Sequence, residues 1–157
     1  MILPDVNVLV YAHREDAVDH ARYQQWLEET IQSGQPYAIS DHVLSGFLRV
    51  VTHPRVFTTP SPIRLALDFA RQVREQANCQ VIAPGSRHWQ IFTGLCQSIS
   101  ATGNLVPDVW FAALAIESGC EWVTTDRDYQ RFPGLRWRHP LTNPPITDSA
   151  GQGQLGI

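Results

Sequence analysis

Ile2-Leu3-Pro4-Asp5-Val6-Asn7 opens the chain, followed at once by the apolar run Val8-Leu9-Val10-Tyr11. The order reads as a short buried strand that ends in a polar turn, with the run from Val8 carrying the chain away. A matching arrangement lies far downstream, where Trp122-Val123-Thr124-Thr125 predicts a fourth strand ending at Asp126. Two further strands are read at Pro36 to Ile39 and Cys79 to Ala83, and a fifth at Leu135 to Arg138.

Longer helical patterns separate these strands. Val18 to Ile31 places Ala21, Trp26, Leu27 and Ile31 on one face, and Ser33-Gly34 stops it. Asp41 to Val51 follows, with Ser40 as its N-cap. Ser61-Pro62 is a start signal for a helix to about Gln76, and Ser86 to Ser100 forms another. Val106-Pro107-Asp108 opens a helix that Gly119 closes. Short strands alternating with longer helices point to an α/β fold with a parallel sheet covered on both faces.

With 157 residues, 43% hydrophobic and 17% charged, the chain suits one domain around one core. No run approaches the ~18 apolar residues of a membrane span, and no basic-then-apolar leader opens it, so a cytoplasmic protein is expected. Cys79, Cys96 and Cys120 show no paired spacing, so neither a disulfide framework nor a thiolate zinc site is expected. The six histidines form no metal-binding grouping and read as surface or helix-end residues.

All twelve basic residues are arginine. The absence of lysine removes the P-loop, the Schiff base and the lysine that phosphoaspartyl enzymes set beside their aspartates. A net charge of −3 argues weakly against nucleic acid as a partner. That average hides two arginine clusters, Arg49 with Arg55, and Arg127 with Arg131, Arg136 and Arg138.

Ligands of an open parallel sheet bind outside the carboxyl ends of its strands, where Asp5 and Asp126 are both placed. Asp108 falls in the first turn of its helix, where the dipole tolerates a carboxylate. Each aspartate also has a purely structural reading, as a helix start or a strand-end turn. Three carboxylates at one edge repel, and a divalent cation resolves the repulsion. With oxygen ligands only, Mg²⁺ or Mn²⁺ is favoured over zinc. Asn7 is read equally as a water-holding and a turn residue, and Thr125 and Asp128 as outer supports or caps. The tail sequence Gly151-Gln152-Gly153-Gln154-Leu155-Gly156 fits a dinucleotide fingerprint but lacks the strand and helix that would give it meaning.

Four segments in order carry a resemblance. They are Leu3 to Ala12, then Phe47-Leu48-Arg49 through Phe57, then Val106-Pro107-Asp108, and finally Thr124-Thr125-Asp126-Arg127-Asp128-Tyr129 through Phe132-Pro133-Gly134. Together they resemble the PIN-domain VapC toxins of toxin–antitoxin pairs, over about residues 1–141, with residues 142–157 expected as a flexible tail. The resemblance implies a three-layer α/β/α fold around a central parallel sheet of about five strands. It also implies a Mg²⁺- or Mn²⁺-dependent endoribonuclease acting on structured RNA such as tRNA or ribosomal RNA, a homodimer, and a VapB-like antitoxin partner. In that mapping Asp5 and Asp108 are the principal metal ligands, Asp126 is the third carboxylate, and Asn7 and Thr125 support them. Asp128 and Arg49 are candidates for support or substrate contact.

One position departs. Where the resemblance calls for a glutamate before Phe47-Leu48-Arg49, the chain has Gly46. Glycine inside a helix costs about 1 kcal/mol against alanine, and nothing in the local pattern asks for it. The expectation is therefore a weakened nuclease that Gly46→Glu would restore. Two alternatives stand beside it: a catalytically inactive module that binds RNA or antitoxin, and a phosphatase built on Asp5, against which the missing lysine counts.

Overall fold

The computed structural model describes residues 1–142. The expected tail and its glycine fingerprint lie outside the described residues, apart from Thr142. Five strands form among the described residues: β1 (Ile2–Pro4), β2 (Tyr37–Ser40), β3 (Cys79–Ile82), β4 (Glu121–Val123) and β5 (Trp137–Arg138). All their pairings are parallel, with Leu3 opposite Trp122 and Ile39 opposite Val81.

The ladder is divided, which the sequence did not announce. Hydrogen bonds link β1, β4 and β5 in one sheet and β2 with β3 in another, while β1 packs beside β2. Proline supplies the reason. Asp5 N–H donates to the Val123 carbonyl at 2.8 Å and Glu121 N–H to the Met1 carbonyl at 3.0 Å, so the odd-numbered groups of β1 face β4. The even-numbered groups then face β2, and Pro4 has no N–H to give there.

Among the described residues six α-helices accompany the strands: α1 (Val6–His13), α2 (His20–Gln32), α3 (Asp41–Val51), α4 (Ile63–Arg74), α5 (His88–Ser98) and α6 (Leu105–Ser118). The first was not expected as a helix. Its residues Val8, Leu9, Val10 and Ala12 are all buried. An apolar, β-branched run loses the polar face by which a helix is read, although tertiary burial makes it helical. The start of α3 agrees with expectation, because the Ser40 hydroxyl accepts from His42 N–H at 3.2 Å. Ser61 does not cap α4; its hydroxyl is instead engaged by His13 and Arg14. Gly119 closes α6 in the left-handed region at φ 68°, where a side chain would be strained.

All four residues of β2 are buried, so both of its faces are covered. Trp122, Phe47, Leu3 and Leu114 are fully buried at the centre of the core. Burial of such side chains contributes roughly 1.5–3 kcal/mol each before the cost of ordering them. His88, the first residue of α5, agrees with the helix-end reading of the histidines but is buried, with its Nε2 3.0 Å from the Trp110 carbonyl. Among the described residues no helix is long and apolar enough to cross a membrane.

Candidate active site

The parallel pairing of β1 with β4 brings two strand ends side by side, and residues 119 apart in sequence meet there. Asp5 terminates β1 and caps α1, its Oδ1 accepting from Val6 N–H at 2.6 Å. Its Oδ2 accepts from the Thr124 hydroxyl at 2.6 Å and from Asn7 Nδ2 at 3.0 Å. Thr124 Oγ1 in turn lies 3.2 Å from Asn7 Nδ2 and accepts from Asp126 N–H at 3.0 Å. One buried hydroxyl thus ties together the ends of both strands.

Asp126 caps the short 3-10 turn Arg127–Arg131, its Oδ1 accepting from Asp128 N–H at 2.8 Å. Asp108 sits in the first turn of α6, where Tyr129 OH donates to its Oδ1 at 3.4 Å. Asp5, Asp108 and Asp126 line a single cavity of about 910 Å³. Asn7, Gly46, Arg49 and Tyr129 also line it, and Val56, Phe57 and Phe111 add apolar wall.

Burial raises the Asp5 carboxyl to about 6, against hydrogen bonds from Thr124 and Val6 that favour its anion, and Asp108 and Asp126 push the same way as burial. Burial also raises Asp108, with Asp126 adding to the shift and the Tyr129 hydroxyl opposing it. Tyr129 is shifted upward, by burial first and then by the three carboxylates, so its hydroxyl keeps its proton and serves as a donor. The cavity concentrates negative charge at a cost that a cation would relieve.

Among the described residues no three His, Cys, Asp or Glu side chains converge tightly enough to enclose an ion. Asp5, Asp108 and Asp126 nevertheless line one cavity, and each of Asp108 and Asp126 adds to the upward shift of Asp5. Mg²⁺ commonly takes only one or two carboxylates, keeping waters or substrate oxygens elsewhere. The all-oxygen donor set and the mutual charge repulsion fit such a partly hydrated ion.

Two supporting assignments change. Thr125 gives only its backbone, whose N–H donates to Asn7 Oδ1 at 3.3 Å, and the hydroxyl at the centre belongs to Thr124. Thr124 is fully buried and Thr125 half-buried. Asp128 is exposed, pairs with Arg131 at 3.5 Å and does not line the cavity. Tyr129, which sequence reasoning left unassigned, was hidden because a buried tyrosine after a turn reads as packing.

Gly46 also gains a reason. A Cβ built there would lie 2.9 Å from Val6 Cγ2, so the first residue of α1 occupies the space a side chain would need. Of the clustered arginines, Arg131 pairs with Asp128 and Arg138 with Glu121, and Arg136 donates to the Gly119 carbonyl at 2.6 Å. Arg49, Arg55 and Arg127 form no salt bridge among the described residues and remain exposed, Arg49 at the cavity itself.

The PIN domain family model matches residues 2–135. Ribonuclease VapC43 of Mycobacterium tuberculosis is 43% identical over 141 residues, covering 90% of this chain and 96% of its own. Ribonuclease VapC25 of the same organism is 36% identical over 140 residues, covering 89% and 99%. Among solved structures, VapBC2 from Rickettsia felis, bound to a DNA fragment from its promoter, superposes with a TM-score of 0.65 at 21% identity, over 88% of this chain and 98% of that one. VapC20 of Mycobacterium tuberculosis, described as a Sarcin-Ricin loop cleaving toxin, superposes at 0.60 and 16% identity, over 87% and 99%.

Proposed function

Because this chain belongs to the PIN-domain family, alongside the VapC ribonucleases, we propose that it is a metal-dependent endoribonuclease toxin that cuts structured RNA and is held in check by a VapB-like antitoxin. The observation that carries the reading is the meeting of Asp5, Asp108 and Asp126 around one cavity, with the Thr124 hydroxyl joining the two strand ends.

Asp5 and Asp108 are the proposed metal ligands, with Asp126 as the third carboxylate. Mg²⁺ or Mn²⁺ held there would stabilise charge on a phosphoryl oxygen and acidify an attacking water. The chain's own groups do the rest. Thr124 and Asn7 hold the Asp5 carboxylate in one orientation, and both of its oxygens are engaged by donors that favour the anion. Tyr129 does the same for Asp108. Arg49, exposed at the cavity without an acidic partner, is placed to meet a phosphate. The structural neighbour VapC20 is described as cleaving the Sarcin-Ricin loop, and structured RNA, ribosomal or transfer, is the substrate class to try first.

The test is cleavage of total tRNA and of ribosomal RNA with Mn²⁺, with Mg²⁺ and with chelator, for this chain and for Asp108→Asn. Metal-dependent cutting that the variant loses supports the reading, and metal-independent cutting overturns it. A second reading is favoured by Gly46, which leaves a carboxylate out of the cavity lining: a module that binds RNA or antitoxin without cutting. RNA binding that ignores metal and is never followed by cleavage distinguishes it. The VapBC assemblies among the structural neighbours support an antitoxin partner, and a homodimer in a cytoplasmic setting completes the proposal.

A further inference from the structure

One wall of the cavity is not made by a helix or strand. Val56 and Phe57 belong to the segment between α3 and α4, and they line the cavity together with the carboxylates and with Val10 and Tyr11 of α1. The segment carries Pro54, Pro60 and Pro62. Its backbone is fastened at the ends, where Val56 and Phe57 N–H donate to the His53 carbonyl and Ser61 N–H to the Val51 carbonyl. Between those ends, Thr58 and Thr59 give no backbone N–H to the fold among the described residues.

Arg14 fastens the middle. It follows α1 directly, and its N–H donates to the Val10 carbonyl at 2.9 Å. Its Nη1 donates to the Thr59 carbonyl at 2.9 Å and lies 3.1 Å from Ser61 Oγ, and its Cζ sits 4.0 Å from the centre of the Phe57 ring. Nε and Nη2 are taken by the two oxygens of Asp16, at 2.8 and 2.6 Å. His13 Nε2 reaches the same Ser61 hydroxyl at 3.0 Å. The guanidinium side chain is 11% exposed, whereas Asp16 is 58% exposed.

The geometry points to Arg14 as a positioning residue: by stacking on Phe57 and holding Thr59 and Ser61, it fixes the Val56–Phe57 wall and thereby sets how tightly the cavity takes RNA. The inference rests on the nuclease reading of that cavity. The same helix joins both parts, since Asp5 caps the start of α1 and Arg14 follows its end. A planar fork is needed, because one cation must stack on a ring, donate to both oxygens of a carboxylate and still donate to a carbonyl. A lysine ammonium cannot do all three. Removing the side chain leaves no buried charge stranded, since Asp16 turns to water.

The experiment compares the full chain with Arg14→Met, Arg14→Lys, Phe57→Ala and the double variant Arg14→Met/Phe57→Ala. Cleavage of a fluorescein-labelled RNA stem-loop gives kcat and KM, anisotropy in Ca²⁺ gives the RNA Kd, and hydrogen exchange reports the Val56 and Phe57 amides. KM and Kd are expected to rise on the order of tenfold in Arg14→Met with kcat within about twofold, as for loss of binding that ground and transition states share. Lysine should not rescue, and the double variant should be no worse than the single ones, since both act through one wall. Exchange at Val56 and Phe57 should quicken in Arg14→Met. An unchanged Kd and KM with protected amides overturns the inference, as does a fall in kcat alone or full rescue by lysine. If the unaltered chain cuts nothing, the nuclease reading fails, while the Kd and exchange comparisons still decide the role of Arg14.

Discussion

The Thr124 hydroxyl donates to Asp5 Oδ2 at 2.6 Å while accepting from Asp126 N–H at 3.0 Å, so one buried side chain sets the relative position of two proposed site carboxylates. A hydroxyl has one proton and two lone pairs, and Asn7 Nδ2 at 3.2 Å takes the remaining acceptor place.

Thr124→Val keeps the shape and removes all three contacts. Stability should fall by roughly 1–3 kcal/mol, because a buried carboxylate and two N–H groups lose partners. The Asp5 carboxyl, held down in part by this hydroxyl, should titrate above about 6 in the metal-free variant. Urea denaturation and NMR titration of the carboxyl carbon read both effects, and Thr124→Ser should restore them.

Tyr129→Phe removes the donor to Asp108 without opening a cavity. The bond is long at 3.4 Å, so the stability loss should stay near the low end of the ~0.5–1.5 kcal/mol range for a single hydrogen bond. The Asp108 carboxyl should rise further, since this hydroxyl lowers it. Equal carboxyl titrations in the two proteins would show that the hydroxyl does not hold Asp108.

Val6 Cγ2 stands 2.9 Å from where a Cβ at position 46 would be, and Val6 cannot swing freely because a β-branched side chain in a helix has one favoured rotamer. Gly46→Ala should therefore fail to deliver the ~1 kcal/mol that alanine normally gains over glycine in a helix. In a Val6→Ala background the gain should appear. The same logic governs Gly46→Glu. Combined with Val6→Ala it should tighten Mn²⁺ binding on the order of tenfold, the scale on which metal sites respond to supporting groups. Calorimetric titration showing equal affinity for the double variant and Val6→Ala would dismiss position 46 as part of the site.

His13 packs edge-on against Phe47 and Phe69, with ring centroids 5.3 and 4.9 Å away. Burial lowers its pKa below 6.5, and Arg14 and His20 push it the same way. The folded state disfavours the proton more than the unfolded state does. The stability linked to His13 is thus fully present above pH 6.5 and is lost as pH falls through the lowered folded value. His13→Gln should flatten the fall in Tm between about pH 7 and 5, with the unaltered chain losing more. Parallel curves for the two proteins would show that His13 does not titrate in this range on unfolding.

The sequence alone determined the alternation of strands and helices, the placement of Asp5 and Asp126 at strand ends, and Asp108 at a helix start. These follow from local rules, since hydrophobic period, capping residues and turn residues act over a few positions. Tertiary structure decided what local rules cannot reach. Helix α1 forms with Val8, Leu9, Val10 and Ala12 all buried against the rest of the fold. The β1–β2 ladder is broken because Pro4 faces β2. Thr124 rather than Thr125 reaches Asp5 because the pairing of β1 with β4 sets the two strand ends side by side, and Gly46 is explained only by Val6 standing against it. Each of these depends on a neighbour distant in the chain, and which neighbour arrives is settled by packing.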